Sequence, residues 1–154
     1  MDSRAHSLRW WLTKVVAGVL LIGLVAEHYL FRELPAIADL PAGPGQIMVI
    51  CGGLTTVIHY VYVWRRTRRL SEPNQLITEF GLFRCIRHPM YTGDLITYSG
   101  LLFLAPGPVS VLVLCIGTYA IWRQSIVEDR YMAERFGASH RQWRNRTSLL
   151  IPGL

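Results

Sequence analysis

Two apolar runs, Trp10 to Phe31 and about Gly45 to Trp64, are each long enough to cross a bilayer, which takes roughly 20 helical residues. No other feature limits the fold as strongly, because in hydrocarbon every backbone polar group must be satisfied within its own segment, and a single run achieves this as a helix. Two shorter apolar stretches, about Met90 to Ala105 and Val109 to Trp122, are separated only by Pro106, Gly107 and Pro108 and read as a tight helical hairpin. The expected fold class is all-α integral membrane, with about four transmembrane helices.

Composition agrees, since 51% of the 154 residues are hydrophobic and only 17% are charged. The first run exceeds the roughly 7–15 residues of a signal-peptide core, and Glu27 to Arg32 at its end form no small-residue cleavage site, so a retained span is expected. Arg4, Arg9 and Lys14 precede or begin the first span, and the first loop offers Arg32 against Glu33 and Asp39. The second loop carries Arg65, Arg66, Arg68, Arg69, Arg84 and Arg87, the third carries no charge, and the tail carries Arg130, Arg135, Arg141, Arg144 and Arg146. By the positive-inside rule both termini and the second loop face the cytoplasm. The net charge of +6 is thereby accounted for by topology and anionic headgroups, and no nucleic-acid module is recognisable. Cys51, Cys85 and Cys115 have no C-x-x-C spacing, which argues against a disulfide framework or zinc site and assigns them to packing. Phosphate-loop and dinucleotide fingerprints are missing from the sequence.

Chemistry concentrates in two stretches. In Gly81 to Gly93, GLFRCIRHPMYTG, Arg84, Arg87 and His88 lie directly before Pro89, which suits the first position of a helix. A residue before proline is pushed toward extended backbone, so His88 projects from the segment leading into the helix. With the arginines beside it and the positive helix end behind it, this spot favours a carboxylate or phosphate. Asp94 follows within the first turns, on a face shared with Tyr91 and Tyr98, and either lines a pocket or complements the helix dipole. His59, at the matching depth of the second span, either lines the same pocket or is an interhelical hydrogen-bonded histidine, while Glu27 and His28 fit an interface. The second stretch, Arg123 to Gly137, continues the last span as a charged helical extension in which Glu128 and Asp129 would favour a cation, and Phe136 and Gly137 would close the helix. A cation-favouring and an anion-favouring spot together suit a zwitterion.

Taken together, Gly81-Leu82-Phe83-Arg84, Arg87-His88-Pro89-Met90-Tyr91-Thr92-Gly93, the hairpin, and Glu128-Asp129-x-x-Met132-x-x-x-Phe136-Gly137 resemble the integral-membrane methyltransferases that include isoprenylcysteine carboxyl methyltransferase and the phospholipid N-methyltransferases. The resemblance covers roughly residues 72 to 154, leaving two N-terminal spans in residues 1 to 71 of a single membrane domain. It implies S-adenosyl-L-methionine as cofactor, bound at the cytoplasmic face in a pocket closed by the RHPxYxG loop and the C-terminal segment. It also implies a lipid or prenylated acceptor that enters from the bilayer. Carried over, Arg87, His88, Tyr91, Gly93, Glu128 and Asp129 are the cofactor-binding residues. The family usually has two glutamates at the acidic pair and two tyrosines where His140 and Trp143 stand here, and its proline-arginine start to the closing tail is lacking.

The implied reaction is direct methyl transfer to a lipophilic acceptor such as an isoprenylcysteine-like carboxylate. Arg123 is the candidate for holding an acceptor carboxylate or phosphate, and His140, Asp94 or Asp129 would serve as base for an amine. Alternatives are phospholipid or amine N-methylation, a nicotinamide-dependent reductase related to the membrane sterol reductases, and a non-catalytic membrane protein. The short loops suit a multi-pass protein of the bacterial inner membrane.

Overall fold

The computed structural model describes residues 3–67 and 75–153, with side chains described from Leu8 onward. Arg68, Arg69, the Arg4 side chain and the expected division near residue 71 lie outside the described residues. Among those described, four α-helices form: α1 (Ser3–Leu30), α2 (Ala42–Thr67), α3 (Pro89–Leu104) and α4 (Pro108–Arg144), with a 3-10 turn at Gly81–Arg84. Each apolar run of the sequence lies on one of them. Prolines open α3 and α4 at the first helical turn, where the missing N–H removes a donor that has no intrahelical partner in any case. Past the end of α1, Glu27 Oε1 accepts the backbone N–H groups of Glu33 and Leu34, both at 2.8 Å, so this carboxylate closes the turn into the first loop.

Three helical segments, Leu8–Leu30, Ala42–Thr67 and Pro108–Arg144, are long and apolar enough to cross a membrane. The fourth helix, α3, has 16 residues and reaches about 24 Å at 1.5 Å per residue, against a hydrocarbon core of roughly 30 Å. Val15, Val19 and Ile22 of α1 and Ile47, Ile50, Leu54 and Val57 of α2 are exposed, as lipid-facing surfaces require. Cys51, Cys85 and Cys115 are free thiols on exposed positions, which corrects the packing role expected for them.

The hairpin expected for α3 and α4 is present in connectivity but is not the main packing relation. Instead α3 lies chiefly against α2, and α4 chiefly against α1. The reason is a glycine-lined seam. A Cβ placed on Gly93 would come within 2.7 Å of the Gly52 carbonyl oxygen, and one on Gly52 within 2.6 Å of the Gly93 oxygen, so the helices meet backbone to backbone. At one end of the seam His59 is 6% exposed, its Nδ1 2.7 Å from the Thr55 carbonyl and its Nε2 accepting the Leu82 N–H at 3.1 Å. Of the two readings of His59, the hydrogen-bonded histidine is the one observed. It ties the 3-10 turn to α2. The apolar core lies where α1, α3 and α4 meet, built from Ala17, Leu21, Tyr91, Tyr98, Leu101, Val113 and Ile121.

Helix α4 does run on into the expected charged extension. It bends at Gly137 (φ 50°, ψ −115°) and resumes over residues 138–144, where the sequence predicted a stop. A positive φ costs glycine nothing, and the bend turns the last helical turns back toward the start of α3. Trp143 Nε1 then donates to the Phe83 carbonyl at 2.8 Å, anchoring the extension on the 3-10 turn.

Candidate active site

The RHP segment, the C-terminal tail and the acidic part of α4 converge at the start of α3. Residues 85–88 and 148–149 run side by side in a short parallel bridge between Ile86 and Ser148. The Arg87 N–H donates to the Ser148 carbonyl at 2.8 Å, the Ser148 N–H to Cys85 at 2.9 Å, and the His88 N–H to Leu149 at 3.2 Å. Thr92 Oγ1 adds a bond to the Leu150 carbonyl at 2.6 Å. The tail therefore walls the RHP segment, and hydrogen bonding of its backbone fixes the register.

His88 has non-helical backbone angles (φ −125°, ψ 65°) and supplies no side-chain cap to α3, as expected for the residue before Pro89. Its ring stacks on Tyr91, with centroids 5.6 Å apart and planes 14° from parallel. Its Nε2 is buried with no hydrogen-bond partner among the described residues, and its Nδ1 is 3.7 Å from Glu128 Oε2. Burial lowers the His88 pKa below the ordinary histidine value, while Glu128 and Asp129 pull it back up.

A histidine held neutral by burial makes stability depend on pH. In the unfolded chain His88 takes up a proton as pH falls through its ordinary value of 6.5, whereas the folded chain resists this to lower pH. Its contribution is therefore complete above that value and lost below it. Thermal unfolding of wild type and His88→Gln from neutral pH to about pH 5 checks this, and the wild type is expected to lose more of its melting temperature on acidification.

The two acids of α4 have separate partners. Glu128 Oε1 accepts the Tyr91 hydroxyl at 2.5 Å and Gln124 Nε2 at 2.7 Å, which leaves Oε2 facing His88, with 37% of the side chain exposed. Asp129 is 9% exposed, with its Oδ1 3.0 Å from Arg87 Nε and 3.1 Å from His140 Nε2. Arg87 also reaches the tail, donating through Nη1 to the carbonyls of Thr147 at 2.7 Å and Arg144 at 3.2 Å. Burial lowers the Arg87 pKa and Asp129 opposes the shift, but a guanidinium stays protonated throughout. Arg87, Asp129 and His140 thus form one buried knot joining loop, tail and α4.

The sequence-predicted residues are accordingly distributed over five settings. Tyr91, His88 and Glu128 form one cluster in which Glu128 alone is substantially exposed, and Arg87, Asp129 and the wholly buried His140 form the knot beside it. Gly93 faces the α2 seam. Asp94 neither caps the helix start nor lines open space: Oδ2 pairs with Lys14 Nζ at 2.7 Å and Oδ1 accepts Thr56 Oγ1 at 3.1 Å. Arg123 lies 5.5 Å over the Trp10 ring, and its Nε is buried without a hydrogen-bond partner among the described residues. Sequence reasoning gave Lys14 only a topological role. Its signal was available, since it is a cation placed past Trp10, inside the apolar run.

Four helices, three of them with apolar segments of membrane length, and an acid–tyrosine–histidine site at one helix start define a helical membrane-type enzyme class. Residues 45–139 match the family described as phospholipid methyltransferase, and the chain belongs to that family of methyltransferases. The chain is 27% identical over 150 aligned positions to Protein-S-isoprenylcysteine O-methyltransferase B of Arabidopsis thaliana, covering 84% of this chain and 76% of that protein. A more local similarity, 30% over 71 residues, relates 46% of the chain to Methanethiol S-methyltransferase 1 of Bradyrhizobium diazoefficiens, and spans 24% of that longer protein.

Proposed function

We propose that this chain transfers the methyl group of S-adenosyl-L-methionine to a lipophilic, anionic acceptor that reaches the site from the bilayer. The observation that carries this reading is the pairing of a partly exposed carboxylate, Glu128, with His88 Nδ1 3.7 Å away, beside the unpartnered His88 Nε2 and the helix start that no side chain caps. One spot favours an ammonium and the other a carboxylate, which fits the amino-acid end of the cofactor. Glu128 would hold the ammonium, and the α3 start with His88 would hold the carboxylate.

The bound cofactor supplies an electrophilic methyl group on a positively charged sulfur. The rest is positioning and exclusion of water, since a carboxylate acceptor needs no proton removed. Tyr91 and Gln124 fix Glu128 through Oε1 and leave Oε2 for the ligand. We assign Arg87, Asp129 and His140 to holding the tail and α4 against the RHP segment, because Arg87 donates to Thr147 of the tail and pairs with Asp129 of α4, whose carboxylate His140 also contacts. His140, 0% exposed, is poorly placed to take a proton from an amine. Asp94, with both oxygens engaged, is likewise assigned to positioning. Arg123, whose Nε is buried and unpartnered, is the residue for the acceptor's anionic group. The excess of arginine around the second loop and tail favours a cytoplasmic orientation of this face.

The test is transfer of labelled methyl from S-adenosylmethionine to an S-farnesylated cysteine derivative, to phosphatidylethanolamine vesicles and to methanethiol in parallel. Preference for the farnesylated carboxylate is the expected result, and preference for either other acceptor would overturn the acceptor assignment. Arg123→Ala is expected to raise KM for the farnesylated acceptor about tenfold, the worth of one charged hydrogen bond, while cofactor affinity stays unchanged.

A further inference from the structure

We infer that Lys14, on the first helix, is a positioning residue of the cofactor site, acting on Glu128 through the Tyr91 ring. Helix α1 lies outside residues 45–139, the part of the chain that carries the family match. It nevertheless inserts a cation among the side chains that set the site. The inference rests on the reading of Glu128 as the ammonium ligand.

Lys14 lies well inside α1, and its side chain is only 13% exposed. A buried ammonium is costly unless paired, and here Asp94 Oδ2 stands 2.7 Å away with Thr56 holding the second carboxylate oxygen. Tyr98 donates its hydroxyl to the Lys14 carbonyl, which fixes the α1 backbone at this level against α3. A plain structural ion pair would need nothing more. However, the ammonium also sits 4.2 Å from the centre of the Tyr91 ring, within the range of a cation–π contact.

That contact couples to the site by simple electrostatics. When the Tyr91 hydroxyl donates to the Glu128 carboxylate, electron density shifts into the ring. A cation over the ring face stabilises the shift, so the contact and the hydrogen bond strengthen one another. Lys14 in this way holds the ring in place and tightens the bond that orients Glu128. Thr56 of α2, Lys14 of α1, Asp94 and Tyr91 of α3, and Gln124 and Glu128 of α4 make one continuous polar chain through the four helices.

The experiment is calorimetric binding of S-adenosylhomocysteine to the full chain in detergent. It compares wild type, Lys14→Arg, the neutral pair Lys14→Met/Asp94→Asn, Tyr91→Phe, and Tyr91→Phe combined with the neutral pair, with thermal unfolding of each. The neutral pair strands no buried charge and is expected to remain folded. It should bind about tenfold more weakly than wild type, whereas Lys14→Arg keeps most of the affinity. In the Tyr91→Phe background, neutralising the pair should cost no further affinity, because the hydroxyl that transmits the effect is gone. A purely structural role for Lys14 would make the two losses multiply, and that result overturns the inference, as does unchanged affinity in the folded neutral pair. A wild type that does not bind at all would instead overturn the reading of the site itself.

Discussion

Replacing Glu128 with alanine is expected to cost about 2 kcal/mol of S-adenosylmethionine binding, roughly thirtyfold in affinity, without unfolding the protein. This loss lies at the low end for a charge partner because 37% of the Glu128 side chain is exposed and solvent screens part of the attraction. Folding should survive, since Glu128 is not part of the apolar core and its neighbour Asp129 makes the contacts that join α4 to the RHP segment. Glu128→Gln sharpens the test. An amide oxygen can still accept from Tyr91 and Gln124, so the local structure is kept while the charge is lost. Equal weakening by Ala and Gln would assign the effect to charge, and full affinity in Gln would remove the ammonium-binding role. Calorimetry on both variants, with circular dichroism to verify folding, is the measurement.

Gly93→Val should have the largest effect on stability, more than about 3 kcal/mol, and is expected to leave little folded protein. A Cβ at this position would overlap the α2 backbone near Gly52 and Thr56, and backbone cannot move aside as a flexible side chain can. Separating α2 from α3 would open the most extensive helix contact in the molecule and displace the start of α3 on which the site is built. Gly53→Ala is the control, because a Cβ there meets nothing within 4 Å and the variant should unfold with wild type. Folded yield and thermal unfolding in detergent report both. A stable Gly93→Val would mean that the seam is looser than described.

The starts of the last two helices were legible in the sequence from their punctuation, since Pro89 opens α3 and Pro106 to Pro108 separate it from α4, while Gly137, read as a stop, proved to be a bend within α4. The extended backbone of His88 followed from the proline after it. The partners of each helix were not legible. Sequence proximity suggested that α3 would lie on α4, whereas the glycines at 52 and 93, distant in sequence, decide for α2. For the same reason Asp94 could be assigned a helix face but not its partner, since Lys14 is 80 residues away and reads locally as a topology charge. The acidic pair was visible as a unit, yet adjacent residues on a helix point in different directions, which is why Glu128 meets Tyr91 while Asp129 meets Arg87 and His140. The parallel alignment of the tail with residues 85–88 has no periodic signal at all, being held by backbone hydrogen bonds.

The measurement that tests the central claim most directly is calorimetric titration of the detergent-purified wild-type chain with S-adenosylmethionine and S-adenosylhomocysteine, with NADPH run alongside. Binding of both adenosyl ligands, and none of NADPH, is the predicted result. Binding of NADPH alone, or of no ligand by folded protein, would contradict the account.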